Sequence, residues 1–125
     1  NPHASEGGLF GDEEERVLAP ALARLRARGV DVTGPEPPDT VFVRAAAGTF
    51  DAVLALYHDQ GFIPVKLAAP RTGITLLLGM PYLRLSPAHG TAFDIAGTGQ
   101  ADPENLSAAL RAAAGLAVGR RPAVS

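Results

Sequence analysis

The sequence predicts an α/β fold, in which strands and helices alternate along the chain. Two continuous apolar runs, AVLALY at 52–57 and ITLLLG at 74–79, are bounded by turn residues. Such runs are typical of strands buried in a parallel sheet. Segments with apolar residues at helical spacing lie before and after these runs. This alternation of the two patterns indicates the α/β class.

The first elements are a loop and a helix. Residues 1–11, NPHASEGGLFG, are rich in glycine and are expected to form a loop. A helix is predicted over 12–29, because Asp12 can cap its start and Gly29 is a suitable residue to end it. Pro20 has no backbone N–H, so we expect a kink or a late restart within this helix.

The remaining elements follow from apolar periodicity and from turn residues. The segment GPEPPD is expected to be a connector, and PENLSAALRAAAGLAVG a closing helix with a proline near its start. In order, we predict a connector at 34–39, a short helix at 40–48, strands at 52–57, 74–79 and 82–86, and a helix at 103–119.

Composition excludes several classes of function. The formal net charge is −2 and the 11 basic residues are scattered, so there is no electrostatic footprint for nucleic acid. The apolar runs are far shorter than the roughly 20 residues of a membrane span. Cysteine is absent, which excludes thiolate chemistry and fits a cytoplasmic location. The chain begins Asn-Pro-His without an initiator methionine, so we expect a piece of a longer polypeptide.

All three histidines lie in polar loop segments that contain glycine. His3 is in NPHASEGG, His58 follows the predicted strand 52–57, and His89 is in SPAHGTA. A lone histidine is usually a solvated or hydrogen-bonded side chain. However, ligands of open α/β sheets bind at the carboxyl ends of strands, and imidazole is a common metal ligand. Because the histidines lack the short spacing of a helical metal motif, spacing alone leaves a metal site and an ordinary polar surface both open.

Several charged residues have both a structural and a ligand-binding interpretation. Lys66 is either a surface lysine or an anion contact, and Arg84, between two leucines, forms either an ion pair or a contact to phosphate or carboxylate. Asp39 is most simply a turn residue, and Asp59 could orient an imidazole, contact a substrate or cap a helix. The glycine-rich segment 89–103 is not a Rossmann fingerprint, because GTGQAD lacks the GxGxxG spacing.

The segments NPHASEGG, YHDQGFIPVK and LLLGMPYLRLSPAHGTAFDIAG occur in an order that resembles the 4-hydroxythreonine-4-phosphate dehydrogenase family of vitamin B6 biosynthesis. The resemblance covers nearly all 125 residues. It implies a three-layer α/β fold like that of isocitrate and isopropylmalate dehydrogenases. Residues 1–125 would be the C-terminal portion of such an enzyme, as a single α/β unit.

The resemblance also implies roles for individual residues. Two of the family's three histidine ligands to a divalent metal (zinc, magnesium or cobalt) match His3 and His58, and the third would lie upstream of residue 1. The metal site of the family lies at a homodimer interface. Substrate contacts match Lys66, Thr75, Arg84, Asp39 and Asp59. The nicotinamide cofactor, NAD or NADP, is expected near His89, Gly90, Thr91 and Ala92.

The implied activity is metal-dependent oxidation of 4-phosphohydroxy-L-threonine, followed by decarboxylation, in pyridoxal 5′-phosphate biosynthesis. The chain departs from the family pattern at Ser5, Thr75, Leu77 and Ala88, where the family usually has Gly, Asn, Thr and Asp. These departures leave two alternatives open, which are oxidation of another phosphorylated hydroxy acid, such as threonate or erythronate 4-phosphate, or of a dihydrodiol. An inactive truncated module is a further alternative. An isocitrate-type enzyme would use acidic metal ligands instead.

Overall fold

The structure is a computed structural model, and it describes residues 2–119. The chain divides into two compact units, the first ending at Gly61 and the second beginning at Phe62.

The first unit opens with a single tight turn and continues into a helix. The turn covers Pro2–Glu6. A π-helical segment, Glu14–Leu18, leads directly into α1, Ala19–Ala27. Pro20 lies in the first turn of α1, directly after the π-helical segment, so the helical hydrogen-bond pattern changes next to this proline. The helix is continuous across Pro20, and the expected irregularity takes the form of the π-helical segment.

Helix α1 ends in a Schellman motif at the predicted glycine. Gly29 has a φ of +80°, which residues with a Cβ rarely adopt. Its backbone N–H donates to the Arg26 carbonyl, and the N–H of Val30 donates to the Leu25 carbonyl. These two hydrogen bonds satisfy carbonyls that the helix leaves unpaired.

The predicted strand at 52–57 is wrong. Helix α2 covers Val41–Ala46, as expected for the predicted short helix at 40–48, but residues 52–57 have no strand structure and are followed directly by α3, His58–Ala68. Leu54 is 89% exposed and Tyr57 is 61% exposed. A strand needs a neighbour to take its backbone hydrogen bonds, and within residues 2–119 the only strand pairing lies elsewhere.

The second unit contains a two-stranded antiparallel sheet. Strand β1, Ile74–Leu77, pairs with β2, Arg84–Pro87. The pairing corrects the expectation of a buried parallel strand at 74–79, while the predicted strand at 82–86 is confirmed with a small shift. The physical reason is the short connection between the strands, because a parallel crossover needs a dozen residues or more.

Helix α4, Glu104–Ala117, confirms the predicted closing helix and packs against both strands. A short 3₁₀ turn, Phe93–Ile95, interrupts the connector before it. Among residues 2–119, the buried hydrophobic side chains are Val41 in the first unit and Ala109 in the second. No helix within residues 2–119 has the length and apolar character to cross a membrane.

Candidate functional site

His3 lies in a left-handed turn that brings its ring next to a carboxylate. The φ angles from His3 to Glu6 are +50°, +55°, +64° and +44°. In this turn the Nδ1 atom of His3 lies 2.6 Å from Oε1 of Glu6. A carboxylate only accepts hydrogen bonds, so Nδ1 of His3 donates, and Nε2 is the ring nitrogen left to coordinate a metal when it carries no proton.

Asp39, an expected substrate contact, lies on the other side of the same imidazole. Its Oδ2 is 3.7 Å from Nε2 of His3, and both side chains are more than half exposed. Asp39 belongs to the turn that precedes α2. The structure therefore brings together two residues that are 36 positions apart in the sequence and to which the family resemblance assigns roles at one site.

His58 and Asp59 are the first two residues of α3. Sequence reasoning placed His58 at the end of a strand, but it begins a helix. The side-chain Oε1 of Gln60 accepts a hydrogen bond from the backbone N–H of Leu56 at 2.8 Å. This bond links the helix to the residues just before it, and the side chains of His58 and Asp59 are exposed.

Lys66 is in the last turn of α3, and its ammonium contacts the segment that leads to His89. Its Nζ donates to the backbone carbonyl of Ala88 at 2.9 Å. An ammonium group has three donors, so two remain for an anionic ligand. This contact was predicted by neither of the two interpretations of Lys66.

The two expected substrate contacts of the sheet lie on one of its faces. Thr75 pairs with Ser86, and Leu77 pairs with Arg84. Because side chains two apart on a strand point the same way, Thr75 and Arg84 share a face. Within residues 2–119, the Arg84 guanidinium forms no ion pair with an acid. The ion-pair interpretation of Arg84 is thus unsupported in the described residues.

The expected cofactor segment, His89 to Ala92, is exposed throughout. Nδ1 of His89 donates to the carbonyl of Gly90 at 2.8 Å. Gly90 has open space where a Cβ would stand, and Ala92 has a φ of +49°. Small side chains and open backbone here permit the close approach of a ligand.

Donor chemistry at His3 fits part of a metal site. Zinc–nitrogen and zinc–oxygen bonds are about 2.0–2.2 Å long, so two ligands of one ion lie at most about 4.3 Å apart. The 3.7 Å between His3 and Asp39 is within that limit. Within residues 2–119, however, no group of three or more His, Cys, Asp or Glu is arranged to hold a metal ion. The described residues therefore supply a partial donor set.

Comparison with known proteins decides the family. The sequence model of the pyridoxal phosphate biosynthetic protein PdxA matches residues 1–113. The chain belongs to the PdxA family. This result confirms the resemblance and the α/β class that it implies.

Members of the PdxA family that resemble the chain include two named dehydrogenases. The chain is 58% identical over 118 residues to the 4-hydroxythreonine-4-phosphate dehydrogenase of Beijerinckia indica. This match covers 94% of the chain and 35% of that relative. It is 54% identical over 117 residues to the D-threonate 4-phosphate dehydrogenase of Salmonella typhimurium, and this match covers 94% of the chain and 36% of that relative. The chain thus spans about a third of the length of these curated relatives.

A solved structure of the PdxA family agrees with the fold. The crystal structure of 4-hydroxythreonine-4-phosphate dehydrogenase from Klebsiella pneumoniae matches with a TM-score of 0.79 and 55% sequence identity. The match covers 90% of this chain and 34% of that one. The antiparallel hairpin and the helices around it are therefore a portion of the family's α/β fold.

Sequence reasoning missed three side chains that organise the site. They are Glu6, Gln60 and Asn105, and each forms a hydrogen bond that its residue type alone does not predict. Glu6 meets His3 only because the turn is left-handed, and Gln60 reaches back to Leu56. Asn105 is buried on α4, where a polar residue near a helix start would be expected to face solvent.

Proposed function

We propose that the chain supplies part of the active site of a metal-dependent dehydrogenase that uses NAD or NADP. The proposed reaction is oxidation of the secondary alcohol of 4-phosphohydroxy-L-threonine, followed by decarboxylation, in pyridoxal 5′-phosphate biosynthesis. The observation that carries the proposal is the arrangement of His3, with a carboxylate at Nδ1 and Nε2 directed toward Asp39. Membership of the PdxA family supports it.

His3 and His58 are the residues that would hold the divalent metal, for which zinc, magnesium and cobalt are the candidates. Such an ion, when bound, polarises an alcohol oxygen and stabilises developing negative charge on it. Both imidazoles lie on exposed segments of the first unit, where a ligand can reach them. Asp39 and Asp59 follow as carboxylates on the substrate side, because each accompanies one of the histidines.

Lys66 and Arg84 are the cations that would hold the anionic groups of the substrate. Arg84 can form two parallel hydrogen bonds to a phosphate or carboxylate, and Lys66 keeps donors in excess of its bond to Ala88. Thr75 shares the face of Arg84 and offers a hydroxyl to the same ligand. These residues bind and orient the substrate, so their effect is on affinity and on alignment with the cofactor.

The segment of His89, Gly90, Thr91 and Ala92 would contact the nicotinamide cofactor, which accepts the hydride from the alcohol carbon. Its open backbone permits close approach, and the Lys66 bond to Ala88 holds the start of the segment. We also propose a homodimer in the cytoplasm. A shared site would explain why the described residues supply only part of a metal donor set.

D-threonate 4-phosphate is the second candidate substrate. A D-threonate 4-phosphate dehydrogenase is nearly as similar to the chain as a 4-hydroxythreonine-4-phosphate dehydrogenase, at 54% against 58% identity. Thr75 also shortens the hydrogen-bonding arm that the family usually has as asparagine. The two substrates differ in their polar groups, and a site that hydrogen-bonds one group rejects an analogue without it.

The proposal is tested with the full-length gene product, a divalent metal and both cofactors. Reduction of NAD or NADP is followed with 4-phosphohydroxy-L-threonine, D-threonate 4-phosphate and erythronate 4-phosphate. We expect metal-dependent reduction with one of these substrates. Loss of a charge-assisted hydrogen bond costs about 1.5–3 kcal/mol, so Arg84→Gln should raise KM about 10- to 100-fold.

The matched control for this experiment is Arg111→Gln. Arg111 is an exposed arginine on α4 with no hydrogen bond or ion pair within residues 2–119, and its loss should leave KM unchanged. Absence of metal-dependent reduction with all three substrates and both cofactors would contradict the proposed function.

A further inference from the structure

The contact between His3 and Glu6 joins two side chains that are three positions apart. Nδ1 of His3 and Oε1 of Glu6 are separated by 2.6 Å, which is short even for a charge-assisted hydrogen bond. Glu6 is 45% exposed and His3 is 56% exposed. Neither side chain is held by burial, so the polar contacts of the ring set its orientation, and the contact to Glu6 is the shorter of the two.

The backbone that carries these two side chains has an unfavourable conformation. Four successive residues other than glycine, His3 to Glu6, have positive φ angles. The left-handed conformation is unfavourable for every residue with a Cβ, because the Cβ crowds the following carbonyl oxygen. Strain of this kind persists only where the surroundings enforce it, and it is concentrated at functional sites.

Buried Ser5 anchors the strained turn. Ser5 is 3% exposed, and its carbonyl accepts hydrogen bonds from the N–H groups of Gly8 and Phe10, at 3.0 and 3.2 Å. The turn is thus fixed at its centre, and His3 and Glu6 project from it on the solvent side. A flexible loop would not hold the two side chains together.

We propose that Glu6 is a positioning residue for the metal-binding nitrogen of His3, an inference that rests on the proposed function. The carboxylate of Glu6 fixes the ring orientation and the tautomer, so that the lone pair of Nε2 faces outward, toward the Asp39 side. It also makes the imidazole a better electron donor. Removal of such a carboxylate behind a ligating histidine typically lowers metal affinity 10- to 100-fold.

Metal affinity of the full-length gene product tests the role of Glu6 directly. Cobalt(II) is titrated into wild type, Glu6→Gln and Glu6→Ala in competition with a chromogenic chelator, and the visible cobalt spectrum is recorded. We expect Glu6→Ala to bind cobalt 10- to 100-fold more weakly and with an altered spectrum. Glu6→Gln retains an acceptor oxygen, so it should recover part of the affinity.

Glu15→Ala is the control, since Glu15 is an exposed carboxylate without a hydrogen bond or ion pair within residues 2–119. It should bind cobalt like wild type. If Glu6→Ala matches wild type in affinity and spectrum, the role of Glu6 is refuted while the proposed function stands. If wild type itself binds no cobalt, both the metal site and the role of Glu6 are refuted.

Discussion

Asn105 is a buried polar residue that ties together the ends of the β-hairpin. Its Nδ2 donates to the carbonyls of Arg71 and Gly73, at 3.2 and 2.6 Å, and its Oδ1 accepts from the N–H of Ala88 at 2.9 Å. Gly73 directly precedes β1 and Ala88 directly follows β2. Ala88 directly precedes the proposed cofactor segment. Asn105, which binds the N–H of Ala88, and Lys66, which binds its carbonyl, therefore both help to set the start of that segment.

Replacement of Asn105 by alanine should loosen this junction locally. Loss of a partner for a buried polar group costs about 1–3 kcal/mol. The N–H of Ala88 keeps the Gly73 carbonyl as a second acceptor at 3.3 Å. We therefore expect this amide in the full-length gene product to exchange with solvent about fivefold faster in Asn105→Ala, at the lower end of that cost. Native-state hydrogen exchange, read by mass spectrometry or NMR, measures this rate.

The neighbouring Leu106→Ala serves as the comparison, because Leu106 is 51% exposed on the same helix. Its Ala88 amide should exchange at the wild-type rate. Unchanged protection of Ala88 in Asn105→Ala would show that Asn105 is not what holds the hairpin ends.

At the residue scale, the sequence indicates which side chains suit a metal or a substrate better than it indicates their hydrogen-bond partners. His3 was a candidate because imidazole is a common metal ligand, whereas Asp39 became a substrate candidate only through the family resemblance. Glu6 and Asn105 could not be singled out, because their roles depend on a left-handed turn and on burial at a helix start. Neither property follows from residue type, since glutamate and asparagine are ordinarily exposed.

At the scale of elements, α4 begins beside two carboxylates that share one arginine. Oδ1 of Asp102 accepts the backbone N–H of Glu104 at 2.9 Å. Arg71 contacts Asp102 through Nη2 at 2.7 Å and Glu104 through Nε at 2.6 Å. The hydrogen bond from Glu104 and the charge of Arg71 lower the pKa of the Asp102 carboxyl below its usual value.

This lowered pKa sets a direction for stability against pH. A carboxyl whose pKa is lower in the folded protein stabilises the fold above its unfolded pKa, near pH 4. That contribution is lost as the pH falls through the folded pKa. Asp102→Asn should therefore melt at a lower temperature than wild type at pH 7, and the difference should shrink as the pH falls below about 4.

Thermal unfolding of the full-length gene product over this pH range checks the expectation. Asp31→Asn is the control, because Asp31 is exposed and forms no hydrogen bond or ion pair within residues 2–119. A gap between wild type and Asp102→Asn that stays constant with pH would argue against the proposed role of the charge.

Elements with local signals were predictable, and those that depend on a distant neighbour were not. Gly29 ends its helix as expected, because the Schellman motif needs only the adjacent turns. The apolar run 52–57 resembles a strand in composition, but strand pairing requires a second segment at hydrogen-bonding distance. The run 74–79 pairs with β2, which follows only a few residues later, and so short a connection allows only an antiparallel pair.

At the scale of the whole chain, the hydrophobic pattern predicts more buried apolar side chains than the described residues contain. Val41 and Ala109 are buried, whereas Leu54, Leu78 and Phe93 are each at least 80% exposed. The sequence identified the α/β class from its pattern, yet it could not show which apolar side chains the described residues leave open. Those depend on the three-dimensional arrangement and not on hydropathy.

Metal content of the full-length gene product tests the histidine-held metal site most directly. Wild type, His3→Ala, His58→Ala and His89→Ala are purified with zinc and analysed by atomic emission for bound metal. We expect His3→Ala and His58→Ala to lose the metal, whereas His89→Ala, which removes the remaining histidine of the 125 residues, should retain it. Full metal content in both His3→Ala and His58→Ala would contradict the histidine site and favour acidic ligands, as in isocitrate-type enzymes.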